Sequence, residues 1–215
     1  MTGAKKLLLL FILTTGCFLT SCSFKEKSKS PIEKIHEKLT SMENYGCVAD
    51  VRFISNKGEN TYKTKQHYKM TGEYRLEILA PENLQGLVTV YDGQKLIQYN
   101  PRILGEVITE QPESESANEI FLGAFLKNYL QSEGVALEVF NHNSENYTVL
   151  EAVIPDGGKY LATEKLWISN KSLNPVKLVI YDKEGKERII VEYLEFKYNV
   201  NLDESVFRIN KSNSV

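Results

Sequence analysis

YRLEILAPENLQGLVTVYDGQKLIQYNP, residues 74–101, carries the pattern that decides the fold. Tyr74 to Leu79, Gly86 to Tyr91 and Leu96 to Tyr99 are rich in aromatic and β-branched residues and are separated by turn signals, so each reads as a strand. Asp92-Gly93 supplies the positive backbone angles of a tight hairpin turn and is the strongest short-range turn signal in the chain. Antiparallel pairing therefore starts here and extends both ways.

Toward the N-terminus, Val48 to Ser55 and Thr61 to Met70 read as strands around a turn at Asn56-Lys57-Gly58. Toward the C-terminus follow Val135 to Asn141, Tyr147 to Ile154, Tyr160 to Ser169, Pro175 to Tyr181 and Arg188 to Tyr198, with turns at Asp156-Gly157-Gly158 and Glu184-Gly185 and a closing segment Asn199 to Phe207. About ten strands with no alternating strand–helix rhythm give an antiparallel α+β fold. The strand Ile189 to Tyr198 carries apolar residues on both faces, as does Gly86 to Tyr91, where a sheet with one wet face would alternate cleanly. A curved sheet wrapped around helices, its convex side partly used for contact, accounts for this.

Two helices interrupt the strands. Ser30-Pro31-Ile32-Glu33 combines a capping residue, a proline where its missing N–H costs nothing, and a glutamate that completes a capping box. Ile32, Ile35, Leu39 and Met42 follow at helical spacing, and Tyr45-Gly46 marks the end. Residues 110–119 are acidic and unpatterned, a surface loop; Ser116 and Glu119 then form a second capping box, with Gly134 as the stop. Between them Phe121, Leu122, Phe125, Leu126, Tyr129 and Leu130 make a wide aromatic stripe. Such a stripe either packs the helix on the sheet or lids an apolar cavity; a plug of bulky rings is the favoured reading.

Composition narrows the function. The 215 residues hold 26 Lys and Arg against 28 Asp and Glu, a formal charge of −2, which argues against a nucleic-acid partner. Three Cys and three His are too few for most zinc sites or a disulfide framework. His36, His67 and His142 each read as surface histidines without metal-ligand spacing. No Asp or Glu sits in an apolar, motif-like setting that would raise its pKa, and Gly157-Gly158 is a turn rather than a phosphate loop. The expectation is a chain without catalytic residues, metal or cofactor.

The N-terminus reads as an address. Lys5 and Lys6 precede an apolar run from Leu7 to about Leu19, shorter than the roughly 20 residues of a spanning helix and laid out as an export signal. Leu19-Thr20-Ser21-Cys22 matches the bacterial lipobox, which assigns lipid attachment to Cys22; Cys17 has Thr14 where an aliphatic residue belongs. Residues 1–21 are then a signal peptide, 22–30 a lipidated polar tether, 31–210 the domain and 211–215 a tail. Loss of Lys5 and Lys6 takes the formal charge from −2 to −4. A diacylglyceryl pair holds such a chain on a membrane without a transmembrane helix. Cys47 reads as a small buried apolar residue, with an intermolecular bridge as the alternative.

The residues also resemble a known family. Arg75 and Pro81 followed by Asp92-Gly93, Leu96, Tyr99 and Pro101, and later Leu166-Trp167-Ile168, Pro175, Asp182 with Gly185, Asn199, Asp203 and Phe207, are similar to the LolA-like lipoprotein-carrier family over about residues 30–210. The resemblance implies a half-open β-barrel with helices in its mouth. LolA itself is a soluble carrier, whereas this chain carries a lipobox, and the combination resembles the GerS-type clostridial germination lipoproteins. That implies an anchored, non-catalytic partner of the zinc-dependent cortex amidase CwlD, serving muramic-δ-lactam formation in the spore cortex and hence germination. It places the chain outside the cytoplasm, on the forespore or spore membrane. A second copy of the chain is a further candidate partner, and carriage of lipid or lipoprotein acyl chains is the alternative function.

Overall fold

The computed structural model describes residues 29–103, 106–109, 119–132, 137–142 and 145–209. Helix α1, Pro31–Thr40, begins as its sequence dictates. Ser30 Oγ accepts the Glu33 N–H, and the Glu33 carboxylate accepts the Ser30 N–H, closing the capping box. Ile35 and Leu39 are buried along one face. Its end differs from the expectation: the helix stops at Thr40, and Tyr45 and Gly46 already belong to the first strand. No glycine is needed there, because the Ser41 N–H returns to the Glu37 carbonyl and Thr40 Oγ1 donates to the His36 carbonyl. Met42 lies past the helix and is still buried.

The strands are β1 Asn44–Ser55, β2 Gly58–Lys69, β3 Tyr74–Ala80, β4 Val88–Tyr91, β5 Leu96–Tyr99, β6 Glu106–Thr109, β7 Leu137–His142, β8 Glu145–Val153, β9 Thr163–Ser169, β10 Pro175–Tyr181 and β11 Glu187–Tyr198. Helix α2, Leu122–Gln131, falls between β6 and β7. The eleven strands form one antiparallel sheet in the order β6-β5-β4-β3-β2-β1-β11-β10-β9-β8-β7. The short edge strand β6 is the one that the sequence pattern did not announce. Pairing of β1 with β11 brings the first and last strands together in the middle of the sheet and leaves β6 and β7 at its edges among the described residues, so the sheet does not close on itself.

Alternation places the core. Tyr45, Cys47, Ala49 and Val51 of β1 are buried on the concave face beside α1 and α2. On the opposite face Val88 and Val90 pack under Phe207 of a final 3₁₀ turn, Glu204–Phe207, with Leu202, Val206 and Ile209 around it. That second, smaller cluster explains the apolar residues on both faces of β4. In β11 the cause is different: pairing shifts between Val48/Glu195 and Ala49/Tyr193, so Leu194 is an extra bulged residue, half-exposed. The signature polar residues hold turns. Asp92 Oδ1 accepts the Gln94 and Lys95 N–H groups, Asp182 Oδ1 those of Glu184 and Lys186, and Asn199 Oδ1 that of Glu43.

Candidate functional site

The aromatic stripe of α2 lies in the hollow of the sheet. Phe121, Leu122, Phe125 and Leu126 are buried, Tyr129 is partly covered, and Leu130 projects outward. Phe121 meets Tyr74 at 4.6 Å and Tyr68 at 5.4 Å between ring centres, Tyr45 stacks on Phe196 at 5.1 Å, and Phe125 stacks on Tyr129 at 5.8 Å. Close approach requires a glycine: a Cβ on Gly123 would stand 2.0 Å from Tyr68 Cε1.

The helix is not capped as expected. Ser116 lies outside the described residues, and Glu119 is buried two residues ahead of the N-cap, which is Phe121 and offers no side-chain cap. The first helical amide, Leu122 N–H, instead donates to the Tyr45 hydroxyl at 3.1 Å, so a strand residue caps the helix. Tyr45 in turn donates toward Gln66 Oε1. Gly134 also lies outside the described residues; the helix ends at Gln131, where the Ser132 hydroxyl donates to the Asn128 carbonyl.

The expectation that no carboxylate has an apolar setting is corrected. Glu164 of β9 is fully buried, and its Oε1 accepts from Asn128 Nδ2 at 2.8 Å. Burial drives its pKa up to about 8, and the nearby Glu119 charge adds to the rise. Burial likewise holds the Tyr45 and Tyr193 hydroxyls and the Cys47 thiol well above their ordinary ranges. Cys47 is a free, buried thiol. His36 is exposed as expected, whereas His67 is half-buried against Gly46, its pKa lowered first by burial and then by Lys65 and Arg75. His142 falls in β7 rather than in a turn. Among the described residues no three His, Cys, Asp or Glu side chains gather as a metal site would require.

Two surface depressions flank the loop 155–162 at one end of the sheet. One, about 490 Å³, is bordered by Phe53, Lys57, Tyr160 and Arg188; the other, about 750 Å³, by Val153, Asp156, Asp182 and Lys183, with Leu161 common to both. Neither is lined by the α2 stripe or by Glu164. Cys22 lies outside the described residues, among which no helix is long and apolar enough to cross a membrane.

Comparison with known proteins places the chain. The family model of sporulation protein YdcC-like chains matches residues 4–207. The chain belongs to the YdcC-like sporulation protein family. It is 20% identical over 205 residues to the sporulation protein YdcC of Bacillus subtilis (strain 168), covering 95% of this chain and 60% of that longer relative. Among solved structures it is similar to a chain in the complex of the CwlD amidase from Clostridioides difficile with the GerS lipoprotein, at 32% identity and a TM-score of 0.50. That match covers 78% of this chain and 94% of the other. An uncharacterised conserved protein from Thermus thermophilus shares the fold at 16% identity and a TM-score of 0.54, covering 86% and 97% of the two chains.

Proposed function

We propose that this sporulation-family chain is an extracytoplasmic, non-catalytic lipoprotein, anchored through Cys22, that binds and activates the cortex amidase CwlD. Its product would be cortex carrying muramic-δ-lactam, and its consequence germination. The observation that carries the reading is the 32% identity, over 94% of the matched chain, to a chain in a CwlD–GerS complex.

The filled concave face supports a binding role over carriage of acyl chains. A carrier needs an open apolar cavity, and here Phe121, Leu122, Phe125 and Leu126 occupy that space as a plug. Activation needs no chemistry from this chain: a partner that binds only the metal-loaded amidase raises its zinc affinity by linkage. Coexpression of the full chain with CwlD, followed by affinity purification, zinc analysis and muropeptide profiling, tests the reading. Copurification with raised zinc occupancy is expected. Separate elution with unchanged zinc overturns it, and peptidoglycan cleavage by the isolated chain puts an enzyme in its place.

A further inference from the structure

Three of the large apolar side chains that stand exposed, Phe53 at 37%, Val153 at 57% and Tyr160 at 53%, ring the loop 155–162 and its two depressions. Exposed apolar groups gathered at one place mark contact surfaces, whereas scattered ones do not. The loop is rigid. Ile154 N–H bonds the Ala162 carbonyl at 3.0 Å, Leu161 N–H bonds Gly157 at 3.2 Å, and Lys183 N–H bonds Lys159 at 3.2 Å. Gly157 is obligatory, since a Cβ there would stand 1.7 Å from the Leu161 carbonyl oxygen.

The arginine of the smaller depression is fixed as well. Arg188 Nε donates to Asp182 Oδ2 at 2.7 Å and Nη1 to Asn56 Oδ1 at 3.0 Å, while its guanidinium lies 5.4 Å from the Tyr160 ring centre. Both charged residues that line this depression, Lys57 and Arg188, are cations, and Lys159 stands beside Tyr160 at 5.7 Å. Asp182 already balances Arg188 and Glu184 stands near Lys159, so Lys57 sets the sign of the rim. A preorganised tyrosine and arginine around an apolar hollow is the composition of a binding hot spot, with little ordering cost on association.

We propose that the depression bounded by Phe53, Lys57, Tyr160 and Arg188 is the surface on which the amidase docks, receiving a loop that carries an aliphatic side chain next to a carboxylate. This rests on the amidase reading above and deepens it. Charge complementarity selects the occupant: the aliphatic group fills the hollow between Phe53 and Tyr160, and the carboxylate meets Lys57 at the rim.

The test is an affinity measurement of the full chain, in detergent, against purified zinc-loaded CwlD. The double variant Phe53→Ser/Tyr160→Ser is expected to weaken binding at least tenfold, and Lys57→Glu about threefold to tenfold with a flatter salt dependence. Lys34→Glu, exposed on α1 and outside the depression, is the control expected to bind as the parent does. Thermal unfolding of each variant keeps a folding defect apart from a binding defect, and Lys57→Glu, on an exposed turn, serves where the double variant misfolds. Parent binding with all variants within twofold of it overturns this surface alone. Absence of parent binding overturns the amidase reading and the surface with it. Retention of the parent on purified cortex peptidoglycan, lost in these variants while CwlD binding persists, overturns the assignment in favour of a glycan site.

Discussion

Asn128 Nδ2 of α2 donates a 2.8 Å hydrogen bond to Glu164 Oε1 of β9, a buried polar link between helix and sheet. Burial of that acid makes stability depend on pH. The Glu164 pKa rises from 4.5 to about 8 on folding, so between those values the native state holds a proton that the unfolded chain releases. Stability from this group is complete below pH 4.5, declines as pH rises through the window, and falls no further above about 8. Glu164→Gln keeps an acceptor for Asn128 without the ionisation. It is expected to flatten that slope and to stabilise the domain at pH 7 by up to about 3 kcal/mol. Urea titrations of parent and variant at pH 5 and pH 8 check it: equal slopes with pH would show that Glu164 titrates normally.

The plug can be separated from a lid. Phe125 is fully buried on α2, so Phe125→Ala should cost about 3–5 kcal/mol through lost burial and a cavity. The parent chain is expected to leave a fluorescent fatty acid free in solution, and the variant to take it up if the chain still folds. Saturable uptake by the parent would return the acyl-carrier reading to the front.

Gly123 makes a sharper structural test. The Tyr68 ring that faces it is itself stacked against Tyr45 and Phe121, so it cannot swing away from an added methyl group. Gly123→Ala is expected to destabilise by about 1–3 kcal/mol despite the better helix propensity of alanine. Tyr45→Phe should cost about 1–2 kcal/mol, because the Leu122 N–H loses its buried acceptor. Denaturant midpoints of the two variants measure both costs.

What could be read from the sequence was local. The Ser30–Glu33 capping box, the Asp92-Gly93 turn and the strand from Val48 to Ser55 each depend on neighbours a few residues apart. The α2 stripe was visible for the same reason, since helical spacing alone puts Phe121, Leu122 and Phe125 on one side. What escaped depends on distance along the chain. Tyr45 caps a helix that begins 77 residues later, and Glu164 meets Asn128 across 36 residues. Within Thr163-Glu164-Lys165 the glutamate looks like a solvated strand end; only the packing of α2 over β9 makes it a buried acid. The edge strand β6 escaped because a strand of four residues, Glu106–Thr109, carries too few alternations to register a period, whereas the equally short β4 and β5 are announced by the Asp92-Gly93 turn between them.

The proposed membrane anchor makes the last prediction. Leu19-Thr20-Ser21-Cys22 presents an aliphatic residue and two small ones before the cysteine, directly after a basic and apolar export segment. The Cys22 thiol is expected to carry a diacylglyceryl group, whose paired chains bury enough CH₂ groups for stable attachment where one chain would bind only reversibly. The 22–30 tether then keeps the domain close to the membrane, where an exported partner meets it at high local concentration. Expression of the full chain in a bacterium fed an alkyne fatty acid, followed by fluorophore conjugation, reads the modification directly. Parent and Cys17→Ala chains should both be labelled and sediment with membranes. Cys22→Ala should lose the label and remain as the uncleaved precursor or appear in the soluble fraction. Label that persists in Cys22→Ala would place the lipid on another residue and remove the basis for an anchor at this position.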